Sequence, residues 1–287
     1  MERSAFLAFA ILLAGCAAPG SELAISHVHG IAYDGATDTV YLATHHGLAR
    51  GVREGSDWTW SYAGAERFDY MGFTKDPEAS GVFYSSGHPD DPRAFGGVHL
   101  GLRRSTDGGE TWEQRSLKGQ VDFHALTALH GGEGRLAGHW QGTTKVSFDG
   151  GLTWTDQVAP PHPVLAMGSS DGKVWAGTTG GLYSADPTAA IWNWTPVPSP
   201  GSSVVSSVAA SPNGGVLLVG TGDGRTGSTF RSVDAGSTWR PLDHPRLADA
   251  PGQVLFTLDG QGHAFAVLGN GGLLESRDSG VTWSNVR

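Results

Sequence analysis

The chain has 287 residues, a formal net charge of −9 and charged residues at only 16% of its positions. This balance argues against nucleic-acid binding, because Lys and Arg are scattered and form no basic stripe that could replace phosphate counterions. The 44 glycines and 10 tryptophans predict a turn-rich, aromatic all-β protein, not a helical or disordered one.

The first 24 residues have the features of a targeting segment. The apolar run from Ala5 to Ala14 is too short to span a bilayer, so residues 1–15 are predicted to be a signal peptide. The run ends in Leu13-Ala-Gly-Cys16, which resembles a bacterial lipobox. The resemblance implies lipidation of Cys16, the only cysteine, followed by a polar tether within residues 16–24. We therefore expect an extracytoplasmic protein whose lipid partner is the cell membrane or the outer membrane.

Residues 25–287 consist of short apolar runs, such as Thr39–Ala43 and Lys173–Ala176, separated by Gly, Asp and Ser. Such runs predict short strands, and no segment after residue 16 has a helical period. The pattern divides into six units of similar length. They open near His27, Asp69, Asp122, Pro163, Val204 and Gln253.

One octapeptide, Ser-x-Asp-x-Gly-x-Thr-Trp, occurs four times. Its copies contain Asp107, Asp149, Asp234 and Asp278. The Asp carboxylate can accept hydrogen bonds from its own turn, Gly supplies a conformation that other residues resist, and Trp offers an apolar packing face. Trp154 follows Trp112 by 42 residues. Two degenerate copies are also predicted, one around Trp192 and one that ends at Trp58. Repeats of this length predict a six-bladed β-propeller in which the octapeptides are structural hairpin turns.

Polar residues collect in the first three units, where the innermost strands begin and the second strands end. In a propeller these two places lie on one face, opposite the octapeptide turns, and form the mouth of the central channel. The inner-strand candidates are His27, His29, Asp69, Met71, Asp122 and His124. The second-strand candidates are His45, His46, His88 and His139. The corresponding positions of units four to six are apolar or small.

We interpret this cluster as a candidate metal site. Two His residues at alternate strand positions share a face and can chelate one ion, so His27, His29 and His124 are the predicted ligands, completed by Asp69, Asp122 or Met71. Zinc would suit His with carboxylate, whereas a Met ligand would favour copper. The alternative is a set of histidines that hydrogen-bond across the mouth and bind nothing.

Two further functions stay open. Glycoside hydrolysis requires a pair of carboxylates, for which Asp69 and Asp122 are the candidates. A protein-interaction scaffold requires only an exposed propeller face. The long segment from Gly87 to Gly101, bracketed by His88 and His99, is expected to extend over the same mouth, either as a loop that covers a ligand or as a solvent-exposed insertion without one.

The octapeptide resembles the Asp-box of bacterial-neuraminidase-repeat (BNR) proteins, which include sialidases. The resemblance implies the propeller fold, but the Arg-Ile-Pro segment of sialidases is absent and no Tyr follows Tyr183, so sialidase activity is not expected. Segments such as His27-Val-His-Gly30 and Val121-Asp-Phe-His-Ala125 resemble secreted sialidase-like propellers labelled glycosyl hydrolases. That resemblance implies a shared site at the first three blades, and whether its ligand is a small molecule, a glycan or a protein stays open.

The sequence leaves two possibilities for closure of the ring. Residues 23–26 could join the last blade, or the faces of the first and last blades could pack without an exchanged strand.

Overall fold

The computed structural model describes residue 25 and residues 27–201, 204–222, 226–248, 250–251 and 253–286. The predicted signal peptide, the tether and Cys16 lie outside the described residues. No helix in these ranges is long and apolar enough to cross a membrane.

Six antiparallel sheets form the six predicted blades, so the all-β, six-bladed propeller is confirmed. Blade 1 contains β1 (Val28–Asp34), β2 (Thr39–Thr44), β3 (Gly47–Glu54) and β4 (Asp57–Tyr62). Blade 2 contains β5 (Asp69–Lys75), β6 (Phe83–His88), α1 (Pro92–Phe95), β7 (Leu102–Ser105) and β8 (Glu113–Ser116). Blade 3 contains β9 (Ala125–Ala128), β10 (Leu136–Trp140), β11 (Thr143–Ser147) and β12 (Thr155–Gln157).

The second half of the ring repeats this arrangement. Blade 4 contains β13 (Val164–Ser170), β14 (Lys173–Thr178), β15 (Gly181–Ala185) and β16 (Thr195–Val197). Blade 5 contains β17 (Val205–Ala210), β18 (Leu217–Gly222), β19 (Thr226–Ser232), β20 (Arg240–Pro241), α2 (Pro245–Ala248) and β21 (Ala250–Pro251), of which β21 pairs with β19. Blade 6 contains β22 (Val254–Leu258), β23 (Ala264–Leu268), β24 (Leu273–Ser276) and β25 (Ser284–Asn285).

The hydrophobic core consists of layers between neighbouring blades. Each layer takes apolar side chains from two adjacent sheets, as where Leu48 and Tyr41 of blade 1 pack with Tyr70 and Phe83 of blade 2. The last layer joins blade 6 to blade 1 through residues such as Phe265. Every blade in the described part of the chain takes its four principal strands from one continuous stretch, and the faces of blades 1 and 6 pack against each other. The alternative in which residues 23–26 join the last blade falls mostly outside the described residues.

The octapeptides form the turns between third and fourth strands, as predicted. In blade 3, Asp149 accepts hydrogen bonds from the hydroxyls of Ser147 and Thr153 and from the Thr153 N–H, and Gly151 has a φ of 78°. Gly150 N–H donates to the carbonyl of Gly134 in the turn that follows the inner strand. The octapeptide turns therefore lie on the face opposite the ends of the second strands.

The degenerate copy in blade 4 is displaced from its predicted place. The tryptophan immediately before its fourth strand is Trp194, whose indole N–H donates to the Val158 carbonyl, as that of Trp239 does to Pro198 in blade 5. Trp192 is instead fully buried among residues of blades 3 and 4.

Candidate functional site

A central channel of about 300 Å³ runs between the six innermost strands. His29 and His124 line it at the mouth, where blades 4 and 6 contribute Leu165 and Leu255. The predicted concentration of polar residues on blades 1 to 3 is therefore present in the folded protein.

Three donor groups from blades 1 and 2 converge in what we call the first cluster: His29, His45 and Asp69. One ligand atom from each lies within 4.8 Å of the other two. The Nε2 atoms of the two imidazoles are 3.3 Å apart, and His45 Nδ1 lies 2.8 Å from Asp69 Oδ1. His29 Nε2 lies 3.3 Å from His45 Nε2 and 4.0 Å from Asp69 Oδ1, and ligands around one ion lie roughly 3.4 Å apart when each is about 2.0–2.2 Å from a tetrahedral metal. The contact of His45 Nδ1 with Asp69 orients the His45 ring.

The backbone of blade 1 explains how its two histidines meet. His29 occupies a β-bulge, because the pairing of β1 with β2 passes from Val28 to Gly30 without it. Bulges redirect a side chain, and here the strand alternation that we used to pair His27 with His29 is interrupted. His45 follows β2 in a turn that the Thr44 hydroxyl closes by accepting from His46 N–H and donating to the Gly47 carbonyl.

Burial determines the charge state of His29. Desolvation lowers its pKa from 6.5, the neighbouring His45 lowers it further, and the carboxylate of Asp69 opposes both effects. A His with a lowered pKa is neutral near pH 7 and keeps a nitrogen lone pair available for a ligand.

A second cluster consists of His88, His99 and Asp122, again with one ligand atom from each within 4.8 Å. His88 Nε2 lies 3.0 Å from Asp122 Oδ2, and the Asp122 side chain is only 1% exposed. His124 approaches the same oxygen at 2.7 Å and is itself half exposed. This hydrogen bond to Asp122 raises the His124 pKa above 6.5 against the opposing effect of burial.

Close contacts within blade 2 and between blades 2 and 3 hold the second cluster. Phe123 N–H donates to the Ser86 hydroxyl, which fixes the segment carrying Asp122 beside β6. A Cβ at Gly87 would lie 1.9 Å from the Asp69 carbonyl, so only glycine lets β6 approach the start of β5 this closely. His88, the next residue, is thereby positioned opposite Asp69 in the sheet.

The structure divides the predicted ligand set between these clusters. His29 and Asp69 lie in the first cluster and Asp122 in the second, whereas His27, His29 and His124 do not form one group. The His27 ring is 5.1 Å from that of His45, at a residue with a φ of 51°. Met71 lies half-buried at the β-bulge of β5.

The remaining mouth residues have other surroundings. His46 is exposed beside the first cluster. Burial lowers the pKa of His139, whose Nδ1 lies 3.1 Å from the Thr144 hydroxyl. His139 also lines a groove of about 450 Å³ between blades 3 and 4, together with Trp140, Pro160 and His162.

His45 and His88 were predicted at the mouth but not as ligands, and His99 is the cluster residue that was predicted in neither group. It lies thirteen positions before Trp112 in the long connection from β6 to β7, outside the strand positions that we aligned. The available signal was its position at the end of an insertion that begins with another His.

Comparison with known proteins gives the same fold. A family model for the BNR/Asp-box repeat matches residues 103–114. No curated protein sequence matches the chain. The repeat, the turns and the six sheets together define a BNR-type β-propeller.

Several solved propellers have similar folds. A GH74 xyloglucanase from Xanthomonas campestris matches with a TM-score of 0.57 and 20% identity, over 89% of this chain and 52% of that one. An ancestral GH74 enzyme matches with a TM-score of 0.58 and 15% identity, over 87% of this chain and 36% of that one. The chain thus spans about half or less of these enzymes.

The YCF48 propeller is similar over most of its own length. YCF48 bound to D1 peptide matches with a TM-score of 0.54 and 16% identity, over 91% of this chain and 81% of that one. YCF48 from Cyanidioschyzon merolae matches with a TM-score of 0.53 and 16% identity, over 87% and 95%. At these identities the likeness concerns the fold alone.

Proposed function

We propose that this protein binds a divalent transition metal ion, zinc or copper, at the first cluster. The observation that carries the proposal is the convergence of His29, His45 and Asp69 to within 4.8 Å. Imidazole nitrogen and carboxylate oxygen are ligands for both ions, and copper(II) is expected to bind more tightly in the usual order of affinities.

The contacts support a role for each residue. His29 and His45 supply nitrogens, and the half-buried Asp69 supplies the negative charge that offsets the ion. The two Nε2 atoms lie 3.3 Å apart, so their lone pairs would repel each other unless a proton or a cation lies between them. Because the His29 pKa is lowered, this ring is neutral near pH 7 and one of its nitrogens has a lone pair that a cation can accept.

Metal analysis of the purified protein tests this proposal. After dialysis against a chelator, the wild-type protein is expected to bind copper or zinc at micromolar concentration. The double variant His29→Ala/His45→Ala should lose one ion per chain. Two controls should bind as the wild type does: His46→Ala, an exposed neighbour, and His263→Ala, whose Nδ1 lies 3.8 Å from Asp259 Oδ2 near the opposite face. Retention of every ion by the double variant would refute the assignment.

Attachment to a membrane through Cys16 is the second part of the proposal. Residues 1–15 act as the signal peptide and the lipidated Cys16 tethers the propeller outside the cytoplasm. Cells expressing the protein should incorporate radiolabelled palmitate into it, and Cys16→Ser should abolish the label. Labelling that persists in Cys16→Ser would show that the anchor lies elsewhere.

Glycoside hydrolysis by Asp69 and Asp122 receives less support from the geometry. A general acid or nucleophile must reach the substrate, but Asp122 is 1% exposed and covered by His88 and His124. We expect no turnover of a glycoside panel that includes xyloglucan. Turnover that disappears with Asp69→Asn or Asp122→Asn would make glycoside hydrolysis the better-supported function.

A protein-interaction scaffold is the other candidate, and one observation favours it. The groove beside His139 and Trp140 is open, partly aromatic and bordered by Pro160 and Pro161, as a site for an extended peptide would be. The YCF48 propeller, with a similar fold, has been solved with a peptide. Crosslinking from position 140 in cells tests this role; an adduct with one extracytoplasmic protein that survives loss of metal binding would favour the scaffold.

A further inference from the structure

The second cluster is held by a segment that is more fixed than its length suggests. Residues 89–101 connect β6 to β7, and α1 in their middle is capped by the Asp91 carboxylate. At the far end Leu100 is fully buried and its N–H donates to the Gly87 carbonyl. The carbonyl of His99 accepts from Gly119 N–H at 3.0 Å. The peptide group that joins His99 to Leu100 is therefore held at both its carbonyl and its N–H.

Polar atoms in this cluster lack the partners that burial normally requires. Asp122 Oδ1 and His99 Nδ1 are buried and form no hydrogen bond. Within the ranges that the structure describes, the ion pairs of Asp122 are with His88 and His124, and none is with Lys or Arg. A buried carboxylate needs a compensating positive charge, and unsatisfied buried atoms are uncommon unless an ion or water completes them.

The tautomer of His88 sharpens this requirement. Its Nδ1 lies 3.1 Å from the Val98 carbonyl, which can only accept, so Nδ1 carries the hydrogen. In the neutral ring, Nε2 then directs its lone pair at Asp122 Oδ2, 3.0 Å away. Two acceptors at this distance repel unless a proton or a metal ion lies against both. The backbone carbonyl behind the ring is the orienting contact that metal-binding histidines usually have.

We propose that His88, His99 and Asp122 bind a second divalent transition metal ion, separate from the ion of the first cluster. The two sites share no ligand, so this proposal goes beyond the proposed function and can fail or hold independently of it. His124 is a positioning residue here, because it hydrogen-bonds Asp122 Oδ2 at 2.7 Å.

Trp140 gives the second site its own optical signal. Its ring lies 5.2 Å from that of His99 in an edge-on arrangement. Copper(II) bound by His99 would quench the fluorescence of this indole. The part of the quenching that disappears both in Trp140→Phe and in His88→Ala/His99→Ala reports the second site.

Copper and zinc stoichiometry of four proteins provides the test. We expect two ions per chain in the wild type, one in His88→Ala/His99→Ala, one in His29→Ala/His45→Ala and none in the fourfold variant. The Trp140-dependent quenching should persist in His29→Ala/His45→Ala and disappear in His88→Ala/His99→Ala. His139→Ala is the matched control, since it also removes a half-buried His beside Trp140.

The outcomes separate the two proposals. Loss of one ion in His29→Ala/His45→Ala alone, with His88→Ala/His99→Ala unchanged, would overturn the second site and leave the first. The reverse result would overturn the first and leave the second. Circular dichroism establishes that each variant is folded. If His88→Ala/His99→Ala does not fold, the quenching assay is carried out on His99→Gln instead. Trp140 quenching in His99→Gln equal to that of the wild type would refute the second site.

Discussion

Arg53 of blade 1 and Glu275 of blade 6 form an ion pair across the seam that closes the ring, with Nη2 2.5 Å from Oε1. The Arg53 guanidinium also lies 4.2 Å from the centre of the Trp58 ring and contacts Asp38. Both members of the pair are largely buried, at 12% and 8% exposure. The seam therefore combines apolar packing with a buried charge pair.

We predict that Glu275→Gln destabilises the propeller by about 1.5–3 kcal/mol, because it removes the more buried of the two carboxylates that compensate the Arg53 guanidinium and leaves only Asp38. Urea denaturation followed by tryptophan fluorescence measures the change. Glu113→Gln is the matched control, since Glu113 is 54% exposed and its pairs with Arg104 and Arg115 are on the surface. That change should cost less than about 0.5 kcal/mol. Equal effects of the two substitutions would contradict a special role for the seam.

Asp76 gives a second stability prediction. Its carboxylate is fully buried and accepts from Gly134 N–H of blade 3 at 2.8 Å and from Glu78 N–H at 3.0 Å. Asp34 makes the corresponding contact from blade 1 to Gly81 N–H of blade 2. Asp76→Ala should reduce the free energy of unfolding by about 2–4 kcal/mol, because it leaves N–H groups unsatisfied. Asp76→Asn, which keeps one acceptor oxygen, should cost less; an equal or larger loss in Asp76→Asn would refute the hydrogen-bond explanation.

Burial of His130 predicts an acid-sensitive contribution to stability. Desolvation lowers its pKa from 6.5 in the folded protein, although the nearby carboxylates of Glu78, Asp171 and Asp76 oppose the shift. Above pH 6.5 the ring is neutral in both states and its contribution is complete. As the pH falls below 6.5 the unfolded chain takes up the proton first, so stability decreases until the lowered pKa is passed.

His130→Gln should therefore reduce the slope of unfolding free energy against pH just below pH 6.5. The comparison uses metal-free protein with chelator present, so that loss of a bound ion does not add to the slope. His46→Gln, at an exposed site, is the control substitution for the exchange of His for Gln. A slope in His130→Gln equal to that of the wild type would show that His130 does not titrate differently on folding.

The number of blades and the face of the site followed from the sequence because the octapeptide carries its whole turn within eight consecutive residues. Asp149 finds its partners at Ser147 and Thr153, and the turn therefore forms the same way wherever it occurs. Contacts between blades have no such local signature. The roles of Asp76 and Arg53 depend on residues dozens of positions away, and neither was predicted.

In the candidate site, too, local features were predictable from the sequence and non-local ones were not. The sequence placed His29, Asp69 and Asp122 at the mouth, since strand position alone decides that. It grouped His29 with His27 by simple alternation, but the β-bulge at His29 changes the direction of the chain there. His99 belongs to a connection whose path depends on the burial of Leu100, which no alignment of strands reveals.

The octapeptide turns provide the last prediction, because they lie away from the mouth. Asp149 accepts several hydrogen bonds, chiefly from Thr153, and these lower its pKa to about 2. Its contribution to stability is thus present above the unfolded value near 3.8 and is lost as the pH falls through about 2. Asp149→Ala should cost about 1 kcal/mol at neutral pH, as loss of a capping carboxylate typically does. Copper and zinc binding should stay at the wild-type stoichiometry; loss of an ion in a folded Asp149→Ala protein would mean that the octapeptides take part in the site after all.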